Sequence, residues 1–227
     1  MSLVIAAVTK DKAYLVCDGR AMYRGRATRS DVKKFVDVVP GRLVLAYTGD
    51  GAAVGFLQHI AKRALERCEG GTDAVFQGVK EQITANAHGL THPVKEAVAR
   101  LPWPLSLLFR KPVSRLKYEI GIVLVGWDGR SGRMRLCAWG NQDQAGNLVS
   151  EEYRLPAVVC IGRPVDPQEF AWLRSTLASG GLSLAVLEET IRSASARDNQ
   201  IGGEIFTCEI NAEKFRASPL TEFPASS

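Results

Sequence analysis

The sequence predicts an α+β architecture: an αββα sandwich in which two β-sheets pack together and a helix pair covers each outer face. Three observations carry this. The order of patterns along the chain is four strands, two helices, two or three strands, two helices and a strand. Each of these elements has one apolar face to hide, and stacked layers hide it. The 227 residues, 46% hydrophobic and 23% charged, are enough for one sizeable core.

The first hairpin joins the β-rich runs Leu3 to Val8 and Ala13 to Cys17 through the polar Thr9-Lys10-Asp11-Lys12. A turn centred between Lys10 and Asp11 sets Val8 opposite Ala13 and Leu3 opposite Asp18, and so brings Ser2 between Asp18 and Arg20. The second hairpin runs from Lys34 to Val39, turns at Pro40-Gly41 and returns from Arg42 to Tyr47, with Lys34 opposite Tyr47. Helical spacing follows, with Val54, Leu57, Ile60, Ala61, Ala64 and Leu65 on one face and Gly70-Gly71 as the stop. A second helix opens at Thr72 and buries Val75, Phe76, Val79 and Ile83.

Ile120 to Trp127 and Met134 to Trp139 form a strand pair, and Ala157 to Ile161 a short strand. Asp166-Pro167-Gln168-Glu169 combines an N-cap, a first-turn proline and an acid three residues on, and so starts a helix carrying Phe170, Leu173 and Leu177. Ser183 caps one more helix, with Leu184, Leu187, Ile191 and Ala194 inward, before a last strand from Glu204 to Ile210. Residues 1–217 are expected to make one domain. The proline-rich segment at about 92–117 breaks the rhythm and reads as an insertion, either an interface or a loop folded on its own core; 218–227 reads as a flexible tail.

Several classes are set aside by composition. No apolar stretch approaches the ~20 residues of a spanning helix, and the start lacks the basic leader of a signal peptide, so a cytoplasmic protein without membrane contact is expected. Five widely spaced cysteines inside apolar runs read as buried free thiols. His59, His88 and His92 have no ligand-like spacing, so no metal and no cofactor are expected. The net charge of +5 is densest at Arg20, Arg24, Arg26, Arg29, Lys33 and Lys34. Without a recognition motif this reads as a solvated basic loop and not a nucleic-acid surface.

Ser2, Cys17-Asp18-Gly19-Arg20, Val32-Lys33-Lys34-Phe35 and Ala46-Tyr47-Thr48-Gly49, in one ungapped register, resemble the N-terminal half of proteasome β-type and HslV-type subunits of the N-terminal nucleophile hydrolases. Ile161-Gly162-Arg163-Pro164 and Arg197-Asp198 with Gly202-Gly203 resemble later turns of that family. The resemblance implies peptide or amide hydrolysis by the first residue of the mature chain, here Ser2 after removal of Met1.

A serine hydroxyl needs a base to take its proton, and a free α-amino group on the same residue has suitable strength. The resemblance implies that Lys34 lowers the proton affinity of its neighbours, that Asp18 orients Lys34, and that Arg20 and Asp198 support the site. It assigns the oxyanion donor to the backbone of Ala46, with Gly49 as runner-up, and substrate backbone contact to Met22. Departures are also evident: serine replaces the usual threonine, Ala46 a glycine, and Arg163 and Ile201 stand where hydroxyl residues support the amine. The implied partners are a peptide or protein substrate, further copies of the chain in a ring or related homo-oligomer, and an ATPase. The alternative is a non-catalytic assembly subunit of the same fold.

Overall fold

The computed structural model describes residues 2–23, 26–49, 51–68, 70–91, 120–142, 148–163 and 165–212. Its first two strands, β1 (Leu3–Val8) and β2 (Lys12–Asp18), pair with Val8 opposite Ala13 and Val4 opposite Cys17. This is the expected register. Thr9 sets the turn: its N–H donates to the Lys12 carbonyl at 2.8 Å and its hydroxyl accepts the Lys12 N–H at 3.0 Å. The sheet is completed on one side by β10 (Ala157–Gly162) and on the other by β11 (Ile205–Asn211), in the antiparallel order β10-β1-β2-β11.

The basic stretch expected as a loop instead contains a two-stranded ribbon, β3 (Ala21–Tyr23) against β4 (Arg26–Arg29). Residues 27–29 are exposed, so the ribbon buries too little side chain to leave an apolar alternation in the sequence. The second hairpin, β5 (Phe35–Val39) and β6 (Leu43–Gly49), is built differently from expectation yet keeps its register. The turn spans three residues, Pro40 to Arg42, and a bulge between Asp37 and Val39 absorbs the extra one. Phe35 therefore still faces Ala46, and the Tyr47 N–H donates to the Lys34 carbonyl at 2.9 Å.

Three further strands, β7 (Ile120–Asp128), β8 (Arg133–Gln142) and β9 (Leu148–Glu152), complete a five-stranded antiparallel sheet in the order β5-β6-β7-β8-β9. The last of these was not expected: four of its five residues are exposed, so no burial pattern announces it.

Between β6 and β7 lie α1 (Gly51–Arg67), α2 (Thr72–Ala85) and the short α3 (Ala87–Thr91). The expected face of α1 is buried at Leu57, Ile60, Ala61 and Ala64, but Leu65 is turned outward and is 40% exposed. The second pair is α4 (Pro167–Ala178), capped by the Asp166 carboxylate on the N–H groups of Gln168 and Glu169, and α5 (Leu184–Arg197), capped by Ser183.

Strand alternation sorts the side chains into three clusters. Val4, Ala6, Val8, Leu15 and Cys17 meet Phe35, Val44, Ala46, Val123 and Leu136 from the other sheet. Leu3, Ile5, Ala7 and Val16 face the opposite way, onto Leu173, Leu177, Leu187 and Ile191 of α4 and α5. On the far face of the five-stranded sheet, Leu43, Leu45, Ile122 and Leu124 pack with Leu57, Phe76, Val79 and Ile83 of α1 and α2. The segments at 92–117 and 218–227 fall outside the described residues.

Candidate active site

The first strand continues to Ser2, whose carbonyl accepts the Arg163 N–H at 2.8 Å, one step beyond the Leu3–Gly162 pair. Gly162 is required at that step. It has φ +87°, and a Cβ there would stand 2.0 Å from the Ser2 carbonyl oxygen.

Asp18, at the end of β2, is fully buried and gathers four donors. Its Oδ1 accepts the Leu3 N–H at 2.8 Å and the Lys34 ammonium at 2.6 Å. Its Oδ2 accepts the backbone N–H of Gly202 at 3.2 Å and of Arg20 at 3.3 Å. One carboxylate thus joins the chain start, the entry to β5 and the turn before β11. Lys34 is itself buried, and burial is the larger influence on it, lowering its pKa from 10.5, while Asp18 opposes the shift. The charge of Arg20 adds to the lowering.

A cleft of about 700 Å³ opens over this pair, and Ser2, Arg20, Met22, Lys34, Thr48 and Gly49 are among the residues lining it. Alternation explains why both Ser2 and Thr48 line it. Ser2 extends the row Val8, Ala6, Val4 that faces the gap between the sheets, and Thr48 extends the row Val44, Ala46 that faces it from the other side. The Thr48 methyl lies 3.0 Å from the position a Gly162 Cβ would take, next to the Ser2 carbonyl. Thr48 belongs to a motif that carries the family resemblance, but the resemblance gives it no role; period-two spacing from Val44 is the signal that points to it.

The ladder separates the two oxyanion candidates. In an antiparallel strand a residue's N–H and C=O point to one side, alternating along the chain. Tyr47 donates towards β5, whereas the Arg42 carbonyl accepts the Trp127 N–H from β7. Odd residues of β6 therefore face β5 and even ones face β7. Ala46 is fully buried, paired with Val123, and directs its N–H into the sheet, not the cleft. In this geometry Ala46 does not present its N–H to the cleft. Gly49 faces the β5 side, past the end of β5 at Phe35, and lines the cleft with φ +131°. Met22, on β3, is also among the residues lining the cleft.

Asp198 sits at the C-terminal cap of α5, where its Oδ1 accepts the Gln200 N–H at 2.9 Å. Its Oδ2 lies 3.1 Å from Arg163 Nε, an approach of opposite charges at an angle that makes no hydrogen bond. Asp198 thereby braces the residue that holds the Ser2 carbonyl. Arg20 sends its guanidinium to the Asn199 carbonyl and lies over Gly202, where a Cβ would come within 2.8 Å of Arg20 Nη2. Ile201, in the position where the resemblance expects a hydroxyl, is buried among the apolar residues of α4 and α5.

Among the described residues, no cluster of three or more His, Cys, Asp or Glu side chains is arranged to hold a metal ion, and no helix is long and apolar enough to cross a membrane. All five cysteines are free; Cys17 and Cys137 are buried, whereas Cys68, Cys160 and Cys208 are only partly so. Burial pushes the Cys17 thiol up to about 11 and that of Cys160 to about 12, which leaves them poor nucleophiles at neutral pH.

The molecule shares its fold with a solved HslV structure. Among solved structures, the crystal structure of eukaryotic HslV from Trypanosoma brucei is similar, with a TM-score of 0.53 over 92% of this chain and 99% of that one. Sequence identity is 14%, so what is shared is the fold. No protein-family profile and no curated protein matches the sequence.

Proposed function

We propose that the chain is an N-terminal nucleophile hydrolase that cleaves peptide or amide bonds, with Ser2 as the nucleophile once it is the first residue. The observation that carries this is the double grip of Asp18 Oδ1 on the Leu3 N–H and the Lys34 ammonium, which ties the chain start to a buried cation beside an open cleft. The three hydrophobic clusters, taken in order, fit the four-layer αββα sandwich such enzymes use.

In the proposed reaction the Ser2 hydroxyl oxygen bonds to the substrate carbonyl carbon while its proton passes to the Ser2 α-amine. The carbonyl oxygen takes the electron pair, and the Gly49 N–H stabilises it. When the tetrahedral intermediate collapses, the C–N bond breaks and the ammonium returns its proton to the leaving amine. Water then adds to the resulting ester with the amine again as base, and releases the acid and Ser2. The positive charge of Lys34 keeps the α-amine unprotonated at lower pH; Asp18 holds Lys34 in position, and Asp198 steadies the turn that fixes Ser2. The same reading includes self-association into a ring or related oligomer, an ATPase partner and a cytoplasmic location, which size measurement and affinity capture in cell extract address.

The test uses a peptide electrophile that requires both a hydroxyl and a free amine on one terminal residue. Mass spectrometry is expected to find the adduct on Ser2 in chains that begin there, and none in Ser2→Ala or in chains retaining Met1. Absence of the adduct from a chain confirmed to begin at Ser2 would overturn the reading and favour a non-catalytic assembly subunit.

A further inference from the structure

The basic residues that the sequence presents as a solvated loop are brought to the cleft wall. Arg20, Arg29, Lys33 and Lys34 all line it, and among the described lining residues Asp31 is the one carboxylate. Three of the four cations are matched within the chain. Lys34 meets Asp18 at 2.6 Å, Arg29 meets Asp31 at 3.0 Å, and Lys33 approaches Asp37 at 3.7 Å while lying over the Phe35 ring.

Arg20 differs. Among the described residues no carboxylate lies within ion-pair distance of its guanidinium, which is anchored instead on the neutral carbonyl of Asn199. The anchor and the bare surface of Gly202, a glycine at φ +138°, hold the group at a fixed place. A guanidinium has five N–H donors in a planar fork, so one bond to a carbonyl leaves most of that capacity for a ligand. Being fixed in advance, it also loses little conformational freedom on binding.

We propose that the cleft selects substrates carrying an acidic side chain close to the bond that is cut, with Arg20 as the residue that receives the carboxylate. The proposal rests on the hydrolase reading for the identity of the cleft, but its recognition step is independent of the nucleophile. A carboxylate meeting Arg20 would complete the one charge in the cleft that the chain leaves without an ion-pair partner among the described residues, and that unmatched positive charge would draw acidic peptides in and repel basic ones.

The test measures binding to the full chain carrying Ser2→Ala, so that hydrolysis, present or absent, does not enter. Two fluorescent peptides are compared by anisotropy, identical except for Glu against Gln at one position. The Glu peptide is expected to bind about tenfold more tightly, with the preference shrinking as salt is added. Arg20→Gln is expected to abolish the preference and Arg20→Lys to keep part of it. Equal binding of the two peptides to the Ser2→Ala chain would overturn the proposal, as would a Glu preference undiminished by Arg20→Gln. The peptide pair decides the matter even if Arg20→Gln fails to fold. A single-stranded oligonucleotide of equal charge that displaces the Glu peptide more effectively than unlabelled Glu peptide would also overturn it, and would mark the cleft as a polyanion site.

Discussion

Asp18 accepts the backbone N–H of Leu3 at 2.8 Å, which positions the residue just before Leu3, and the same carboxylate oxygen holds the Lys34 ammonium at 2.6 Å. A side chain that organises a terminus this way serves stability and chemistry together, so substitutions around it are expected to separate the two only partly.

Replacing Asp18 by Asn keeps the shape but removes the countercharge of a buried lysine. Loss of one member of a buried ion pair costs about 3–5 kcal/mol, because the other charge stays desolvated. Denaturant unfolding of Asp18→Asn should show a loss of that order, whereas Asp31→Asn, at a solvent-screened exposed pair, should leave the unfolding midpoint nearly unchanged.

Lys34 supplies a pH dependence with a defined sign. Burial lowers its pKa in the folded chain, so between that lowered value and 10.5 the unfolded chain binds a proton that the folded chain does not. Stability therefore rises with pH through this window, as the cost of burying a charged ammonium is relieved; below the window the cost is present in full. Unfolding free energies measured across the alkaline range should carry this rising contribution in the unaltered chain and lack it in Lys34→Met.

The glycine opposite Leu3 is expected to be irreplaceable. Gly162→Ala sets a methyl 2.0 Å from the Ser2 carbonyl and adds the strain of a positive φ, about 1–3 kcal/mol by itself. Gly41, with φ +66° and nothing within 4 Å of where a methyl would stand, provides the comparison. Urea midpoints should fall further for Gly162→Ala than for Gly41→Ala, and labelling of Ser2 should fail only in the former.

Thr48 lines the cleft together with Ser2, with its methyl next to the Gly162–Ser2 contact and its hydroxyl beside Gly121. Thr48→Val preserves its shape. It is expected to lower kcat about tenfold, the worth of one hydrogen bond or slightly more, with KM little changed. A shift in the pH profile of kcat would accompany a role in orienting the amine; an unchanged profile and rate would assign Thr48 to packing alone.

Much of the fold was legible because it depends on local periodicity. Rows such as Val4, Ala6, Val8 and Leu57, Ile60, Ala61, Ala64 carry their own burial pattern, and Asp166 and Ser183 announce their helices through capping chemistry that acts within one turn. The strands β3, β4 and β9 escaped notice because they leave most of their side chains in solvent. Leu65 misled in the opposite sense: its spacing suits the buried face, yet it lies at the edge of that face near the end of α1 and remains in solvent.

The nearness of Ser2, Asp18 and Arg20 follows from the residues of the first hairpin alone, since a hairpin register is set by its turn and by which face must be buried. The second hairpin likewise placed Lys34 beside Tyr47, a register that survived a longer turn because a bulge compensated for it. Sheet packing fixed the geometry by which the two hairpins meet at Asp18, the turn of the Ala46 N–H into the sheet while Gly49 faces the cleft, and the placing of Gly162, Gly202 and Asp198, from the far end of the chain, against Ser2 and Arg20. Those relations depend on how one sheet lies over another, and the packing that sets it is non-directional and summed over the whole interface, so no short stretch of residues records it.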